Sequence, residues 1–175
     1  MRTLTDHLAQ YAAYHRDRRN IATHFIGIPM IVFAVLVLLS RPSFVLLGVA
    51  LNPAIVLAVV AGVFYLLLDL RFGIAMAVSN ILLLWLAMTV AAQSTGVWLA
   101  SGVALFVIGW GFQFVGHYWE GRKPAFVDDL IGLIIGPLFV MAEAAFVLGL
   151  RSVLRRDIEK RVGPTHIRTK TVVAG

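Results

Sequence analysis

The chain has 175 residues, 60% of them hydrophobic and only 14% charged, with a mean hydropathy of +0.89. A soluble domain carries about 25% charged and about 45–50% apolar residues, so a soluble bundle and a disordered chain are both excluded and an integral membrane protein is expected. The net charge of +6 invites a nucleic-acid reading, but the basic residues flank apolar runs, with Arg2, Arg16, Arg18 and Arg19 at one end and Arg151, Arg155, Arg156, Lys160, Arg161, Arg168 and Lys170 at the other. That distribution follows the positive-inside rule and attraction to anionic lipid; no nucleic acid is expected as a partner. The absence of cysteine excludes disulfides, thiolate metal sites and cysteine nucleophiles.

Residues 1–20, "MRTLTDHLAQYAAYHRDRRN", lack the apolar stretch of a secretory signal, so no cleaved leader is expected. Leu4, Leu8, Tyr11 and Ala12 share one face of an amphipathic helix, and His15 continues that face one turn beyond Tyr11. The first span is expected over 21–40, ending at Arg41-Pro42. "SFVLLGVAL" is too short to cross a bilayer alone. Asn52-Pro53 has the form of an N-cap followed by proline at the first helical position, which starts the second span at Pro53 and ends it near Leu68. A single kinked helix from Ser43 to Leu68 is the alternative.

The third span is expected over 72–93 and the fourth over 97–117, joined by the uncharged turn "QSTG". Residues 126–150 are apolar enough to cross, yet they open with Asp128 and Asp129, are expected to break at Gly136-Pro137, and carry Glu143. With the N-terminus cytoplasmic, four spans return "EGRKP" to the cytoplasm, and a fifth crossing would export the most basic segment. The expected fold is all-α: a polytopic membrane helix bundle of four full spans plus a broken or re-entrant helical segment at 126–150, with five spans as the alternative. It forms a single domain over 1–175, with an amphipathic segment at 1–20 and a basic cytoplasmic tail at 151–175. The expected location is a bacterial inner membrane, both termini cytoplasmic.

Under this topology His15, His24 and His117 converge on one membrane face, an outcome that does not depend on the Lys/Arg count used to orient the chain. Gln113, His117 and Glu120 fall at i, i+4 and i+7 and share a helix face, and Asn20 and His24 are also four apart. A continuous helix would separate His15 from His24 by about 13.5 Å and point them to opposite sides. The chain must bend between them, or they serve two metals, or one of them supports a ligand without touching the ion. A lone interfacial histidine is usually only an amphipathic interface residue, which is the reading for His7 and His166. Ionisable groups at span ends accompanied by Asn, Gln and Glu point instead to function. Met30, Met76, Met88 and Met141 read as packing residues. Gly109, Gly111 and Gly116 permit close helix packing, within the chain or in a homo-oligomer.

Two stretches carry a resemblance. "YHRDRRNIATHFIGIP" (Tyr14 to Pro29) and "QFVGHYWEGRKPAFVDDL" (Gln113 to Leu130) resemble the motifs of the Mpo1-like family in order and spacing. The resemblance implies an Fe(II)-dependent dioxygenase that uses O2 to shorten 2-hydroxy fatty acids by one carbon in α-oxidation. His15, His24 and His117 match the motif histidines, and Tyr14, Asn20, Gln113, Glu120, Arg122 and Asp128 match other motif positions. Lys123 before Pro124 and the doubled aspartate depart from the pattern. On this basis His15, His24 and His117, with Glu120, are the expected iron ligands and catalytic residues. Tyr14, Asn20, Gln113 and Asp128 would support them through hydrogen bonds. Arg122 or Lys123 would hold the substrate carboxylate, Arg122 being better suited by its bidentate fork. Two alternatives belong to other classes: a zinc-dependent lipid hydrolase, because histidine-rich sites also suit zinc, and a small transporter or lipid-binding protein without catalysis.

Overall fold

The computed structural model describes residues 2–124 and 130–169. Helix α1 (Leu4–Ala12) opens with a capping box in which Thr3 and Asp6 satisfy each other's backbone N–H groups. Helix α2 (Arg18–Ser40) starts at Asp17, whose carboxylate accepts from the Arg19 N–H. Strands β1 (Phe44–Leu46) and β2 (Val49–Leu51) follow as an antiparallel hairpin in the register Phe44–Leu51, Val45–Ala50 and Leu46–Val49. Leu47 and Gly48 close it with positive φ angles of 50° and 81°, the backbone of a two-residue hairpin turn. The kinked-helix alternative for 43–68 is thereby corrected, and the strict all-α expectation is amended by this one hairpin.

Helix α3 (Pro53–Leu68) begins where expected: the Asn52 side chain accepts from the Ile55 N–H at 2.9 Å. Asp69 caps helix α4 (Leu70–Ala91), and Ser94 caps helix α5 (Thr95–Glu120), which ends at Gly121 in the left-handed region. Helices α2, α4 and α5 are long and apolar enough to cross a membrane, and α3 is a shorter apolar helix of 16 residues. Helix α6 (Ile131–Val147) and helix α7 (Ser152–Val162) form a pair bent by 115°.

The expected break at Gly136-Pro137 is not where this pair bends. Helix α6 runs unbroken through Pro137, whose missing N–H would have reached the Leu133 carbonyl, and the Tyr65 hydroxyl donates to the neighbouring Ile134 carbonyl at 2.7 Å. The chain turns instead after Val147, where the Leu150 N–H reaches the Ala145 carbonyl and the Gly149 N–H reaches that of Phe146. This is a Schellman motif, and Gly149, with φ of 75°, supplies the left-handed residue it requires. Arg151 then forms a two-pronged ion pair with Asp69, at 2.7 and 3.0 Å, and lies over the Phe72 ring. The Arg151 guanidinium holds the Asp69 carboxyl below the usual carboxylate range.

One apolar core joins α1, α6 and α7 to the adjacent ends of α2, α3 and α4 through Leu8, Tyr11, Tyr65, Met76, Phe139 and Ile158. A smaller core at the opposite end gathers Leu36, Val37, Ala54 and Ala87. Val60, Leu67, Ile81 and Trp85 point outward and are more than half exposed. That outer face is apolar on a scale water would penalise and hydrocarbon would not.

Helices α2 and α5 approach most closely. A Cβ on Gly109 would sit 2.8 Å from Ile31 and 3.0 Å from the Gly27 carbonyl, and a Cβ on Gly116 would collide with Thr23 Oγ1 and Asn20 Oδ1. These two glycines, seven residues apart, let α5 lie against α2 within the chain, whereas Gly111 faces open space. Gly116→Ala must displace the Thr23 hydroxyl and the Asn20 side chain or push α5 away from α2, and either change disturbs the support of His24 and His117; we expect a loss of about 1–3 kcal/mol of stability and weaker metal retention, read by thermal unfolding and metal analysis. Arg151→Gln should cost about 1 kcal/mol at neutral pH. Because the Asp69 pKa is depressed in the folded state, that difference should be full above about pH 4 and shrink as the pH falls further, read as melting temperature against pH.

Candidate metal centre

Helix α1 ends at Ala12 and α2 does not begin until Arg18, so the chain bends over residues 13–17. This bend settles how two histidines nine residues apart can meet. His15 sits in the bend, fully buried, its ring stacked on Tyr11 at 4.1 Å and 4°. His24 lies two turns into α2 and His117 in the last turn of α5; both are buried. The three imidazole rings are 4.5 to 5.2 Å apart between centroids, and one ring nitrogen from each lies within 4.8 Å of the others.

The hydrogen bonds decide what these rings can hold. His15 Nδ1 lies 2.7 Å from the Tyr11 carbonyl, and His24 Nδ1 lies 2.8 Å from the Asn20 carbonyl. A carbonyl only accepts, so both Nδ1 atoms carry hydrogen, an assignment made from the bonding pattern. Both Nε2 atoms are then lone-pair donors, and they face each other at 3.0 Å. Two lone pairs at that distance repel unless a cation lies between them. Burial, more than the charge of neighbouring His24, pushes His15 well below the ordinary imidazole range, so a shared proton is disfavoured and the ligating neutral form is kept. Nitrogens 3.0 Å apart can be adjacent ligands of one ion at bonds of about 2.1 Å. The residues therefore fit a transition-metal ion, and the carbonyl contacts at Nδ1 are the partners that metal-bound histidines ordinarily have.

Glu120 stands apart from this cluster. Its carboxylate accepts the Arg16 N–H at 3.0 Å with each oxygen, the Asp17 N–H at 2.8 Å and the Asn20 side-chain amide at 3.0 Å. These contacts bind the end of α5 to the bend that carries His15. Asn20 also donates to the Tyr14 carbonyl, at 3.3 Å, and accepts from His24 through its own carbonyl. The Gln113 amide nitrogen is buried without a hydrogen-bond partner among the described residues. With His24, His117, Trp110 and Pro124 it lines a small cavity of about 60 Å³ beside the histidines. Arg122 reaches back to the Ala13 carbonyl at 2.8 Å, and Lys123 directly precedes the cavity-lining Pro124. Asp128 lies outside the described residues.

Sequence reasoning missed a second brace. The segment after α7 returns across the bend: His166 pairs with Arg16 and Arg18 through backbone hydrogen bonds, and Gly163 accepts from the Arg16 guanidinium at 2.9 Å. The Arg168 N–H donates to Asp17, and its guanidinium donates to the Glu120 carbonyl. Asp17, fully buried, is held well below the usual carboxylate range chiefly by the Arg19 guanidinium. His166 thus takes part through its backbone, which no side-chain motif could reveal, and His7 packs edge-on to Phe64 away from the cluster. Buried Arg16 lies 4.0 Å from Glu143, an apposition of elements 127 residues apart that local spacing does not encode.

The family model described as "2-hydroxy-palmitic acid dioxygenase Mpo1-like" matches residues 1–148. The chain is 35% identical over 162 residues to the protein named 2-hydroxy-palmitic acid dioxygenase MPO1 of Saccharomyces cerevisiae, covering 89% of this chain and 90% of the yeast protein. No solved structure matches. With the family model spanning both histidine-bearing stretches and the yeast relative aligned over most of its length, the chain belongs to the Mpo1-like family.

Proposed function

We propose that the chain is an iron(II)-dependent dioxygenase that cleaves 2-hydroxy fatty acids to acids one carbon shorter, at the cytoplasmic surface of a membrane. The observation that carries this reading is the pair of facing imidazole lone pairs at 3.0 Å with a third buried histidine beside them, in a chain whose yeast relative is named for a 2-hydroxy fatty acid. In this reading α2, α3, α4 and α5 are the four full spans. Residues 121–124 and 147–151, which flank α6, are assigned to one side, supported by the Arg151–Asp69 pair and by Arg16 bonding Gly163 near the end of α5. The basic residues gathered on that side support its being cytoplasmic.

His15, His24 and His117 hold the ion. When bound, ferrous iron would supply the redox chemistry by which dioxygen oxidises a hydroxy acid. Over the whole reaction the C1–C2 bond breaks, C1 leaves as CO2, C2 becomes the carboxyl of the shorter acid, and O2 takes four electrons with one water formed. Glu120 acts as a positioning residue: it keeps the His15 bend docked on α5 rather than ligating. Tyr14 and Asn20 share that task through the Asn20 amide, and Asp128 is retained as a motif position whose role is to support the ligands. Arg122 and Lys123, which directly precede the cavity-lining Pro124, are the groups assigned in this reading to the substrate carboxylate. A head group at the ion leaves the acyl chain in apolar surroundings, where each buried CH2 contributes about 0.8 kcal/mol.

Metal analysis of the purified protein should find iron near one equivalent, with His15→Ala, His24→Ala and His117→Ala each losing it; zinc would favour the hydrolase, and no metal would favour a transporter or lipid-binding role. Oxygen uptake with 2-hydroxypalmitate should release CO2 and a 15-carbon acid, and silence across a panel of 2-hydroxy acids would sink the proposal. Glu120→Ala strands two backbone N–H groups, at about 1–3 kcal/mol each. It should lower the melting temperature and weaken iron retention, while the remaining bound iron keeps the spectroscopic signature of the wild type; a changed signature would make Glu120 a ligand.

A further inference from the structure

We infer that the chain contains an acyl chamber, continuous with the metal centre, whose far wall at Leu36, Leu57 and Phe106 sets the length of fatty chain it accepts; this rests on the proposed reading of the histidine site. The small cavity beside His24 and His117 has two kinds of wall. Gln113, only 5% exposed, presents its unpartnered amide nitrogen next to the histidines, which is where a carboxylate or hydroxyl head would need a donor. The opposite walls, Ile31, Val32, Trp110, Leu133 and Pro137, are shared with a second and larger cavity of about 390 Å³ among α2, α3, α5 and α6. Apart from Asn80 and the Tyr65 hydroxyl, which is already bonded to Ile134, that larger cavity is lined by apolar side chains. A polar donor at the small end and hydrocarbon walls at the large end describe an amphiphile with one polar head and one straight tail.

The depth of the chamber follows from two helices independently. Leu36 lies twelve residues beyond His24 on α2, and Phe106 lies eleven residues before His117 on α5. At about 1.5 Å per residue, both place the far wall roughly 17–18 Å from the histidines. An extended hydrocarbon with carbon–carbon bonds of about 1.5 Å advances roughly 1.25 Å per carbon, so the chamber takes on the order of fourteen carbons beyond the head. Ala61 stands one helical turn nearer the metal than Leu57 on α3, about 6 Å up the same wall. A bulky side chain there would shorten the usable depth by roughly five carbons.

The test uses the iron-loaded full chain in lipid nanodiscs with two variants of opposite direction. Ala61→Phe should lower kcat/KM for a 16-carbon 2-hydroxy acid about tenfold or more while a 10-carbon acid is turned over as by the wild type. Leu36→Ala should move the preference toward longer acids. A second readout needs no turnover: a fatty acid lacking the 2-hydroxyl and brominated mid-chain should quench the fluorescence of Trp110, the quenched component should vanish in Trp110→Phe, and Ala61→Phe should abolish quenching. Unchanged length preference in both variants, or quenching indifferent to Ala61→Phe, overturns the chamber even if the oxygenase reaction stands. Length-dependent quenching without oxygen uptake upholds the chamber and rejects the oxygenase instead.

Discussion

The grip of the Glu120 carboxylate on the backbone of the bend between α1 and α2 is the interaction on which the site depends. Four hydrogen bonds from Arg16, Asp17 and Asn20 end on one carboxylate at the last residue of α5. Bends expose backbone N–H groups that no helix satisfies, and a buried one without an acceptor costs about 1–3 kcal/mol. Placing a charged acceptor there offsets that cost and fixes His15 against His117 across about a hundred residues of sequence. The same bend is clasped from its other side by the segment after α7, through Gly163, His166 and Arg168. A histidine in a loop is thereby fixed by contacts from two separate segments.

The second constraint is apolar. Helix α5 can carry His117 to His24 only because Gly109 and Gly116 let it lie against α2, where a methyl group would meet Gly27, Ile31, Thr23 or Asn20. Close approach brings the ring nitrogens together, and it also defines the cavity between α2, α5 and α6. Packing and chemistry are therefore coupled in this bundle: the contact that seats the histidines also shapes the space beside them. A cation between the facing ring nitrogens, 3.0 Å apart, would relieve their repulsion, which is why the apposed imidazoles fit a metal ion.

Much of the architecture was legible because its causes are local. Asn52-Pro53 marked the start of α3 through capping chemistry, and the apolar runs located α2, α4 and α5 to within a few residues. The amphipathic face of α1 was readable from its period. Two features were not. "SFVLLGVAL" has the apolar composition of a helix segment, and only the backbone freedom of Gly48 at its centre betrays the hairpin. Gly136-Pro137 looked like a break, but α6 runs through it, with the Tyr65 hydroxyl bonded to the Ile134 carbonyl nearby, and the turn falls at Gly149.

At the site, sequence by itself determined which side chains were available: three histidines near span ends, with Asn20, Gln113 and Glu120 at helical spacings from two of them. It could place Glu120 on the same face as His117, because that relation lies within one helix. Only the tertiary structure decided that Glu120 turns to the backbone of the α1–α2 bend instead of to the imidazoles, and that Arg16, Asp17 and Arg168 take part. Helical period reports direction around one axis, while the partner that a buried carboxylate finds depends on which unsatisfied N–H groups another segment brings within 3 Å.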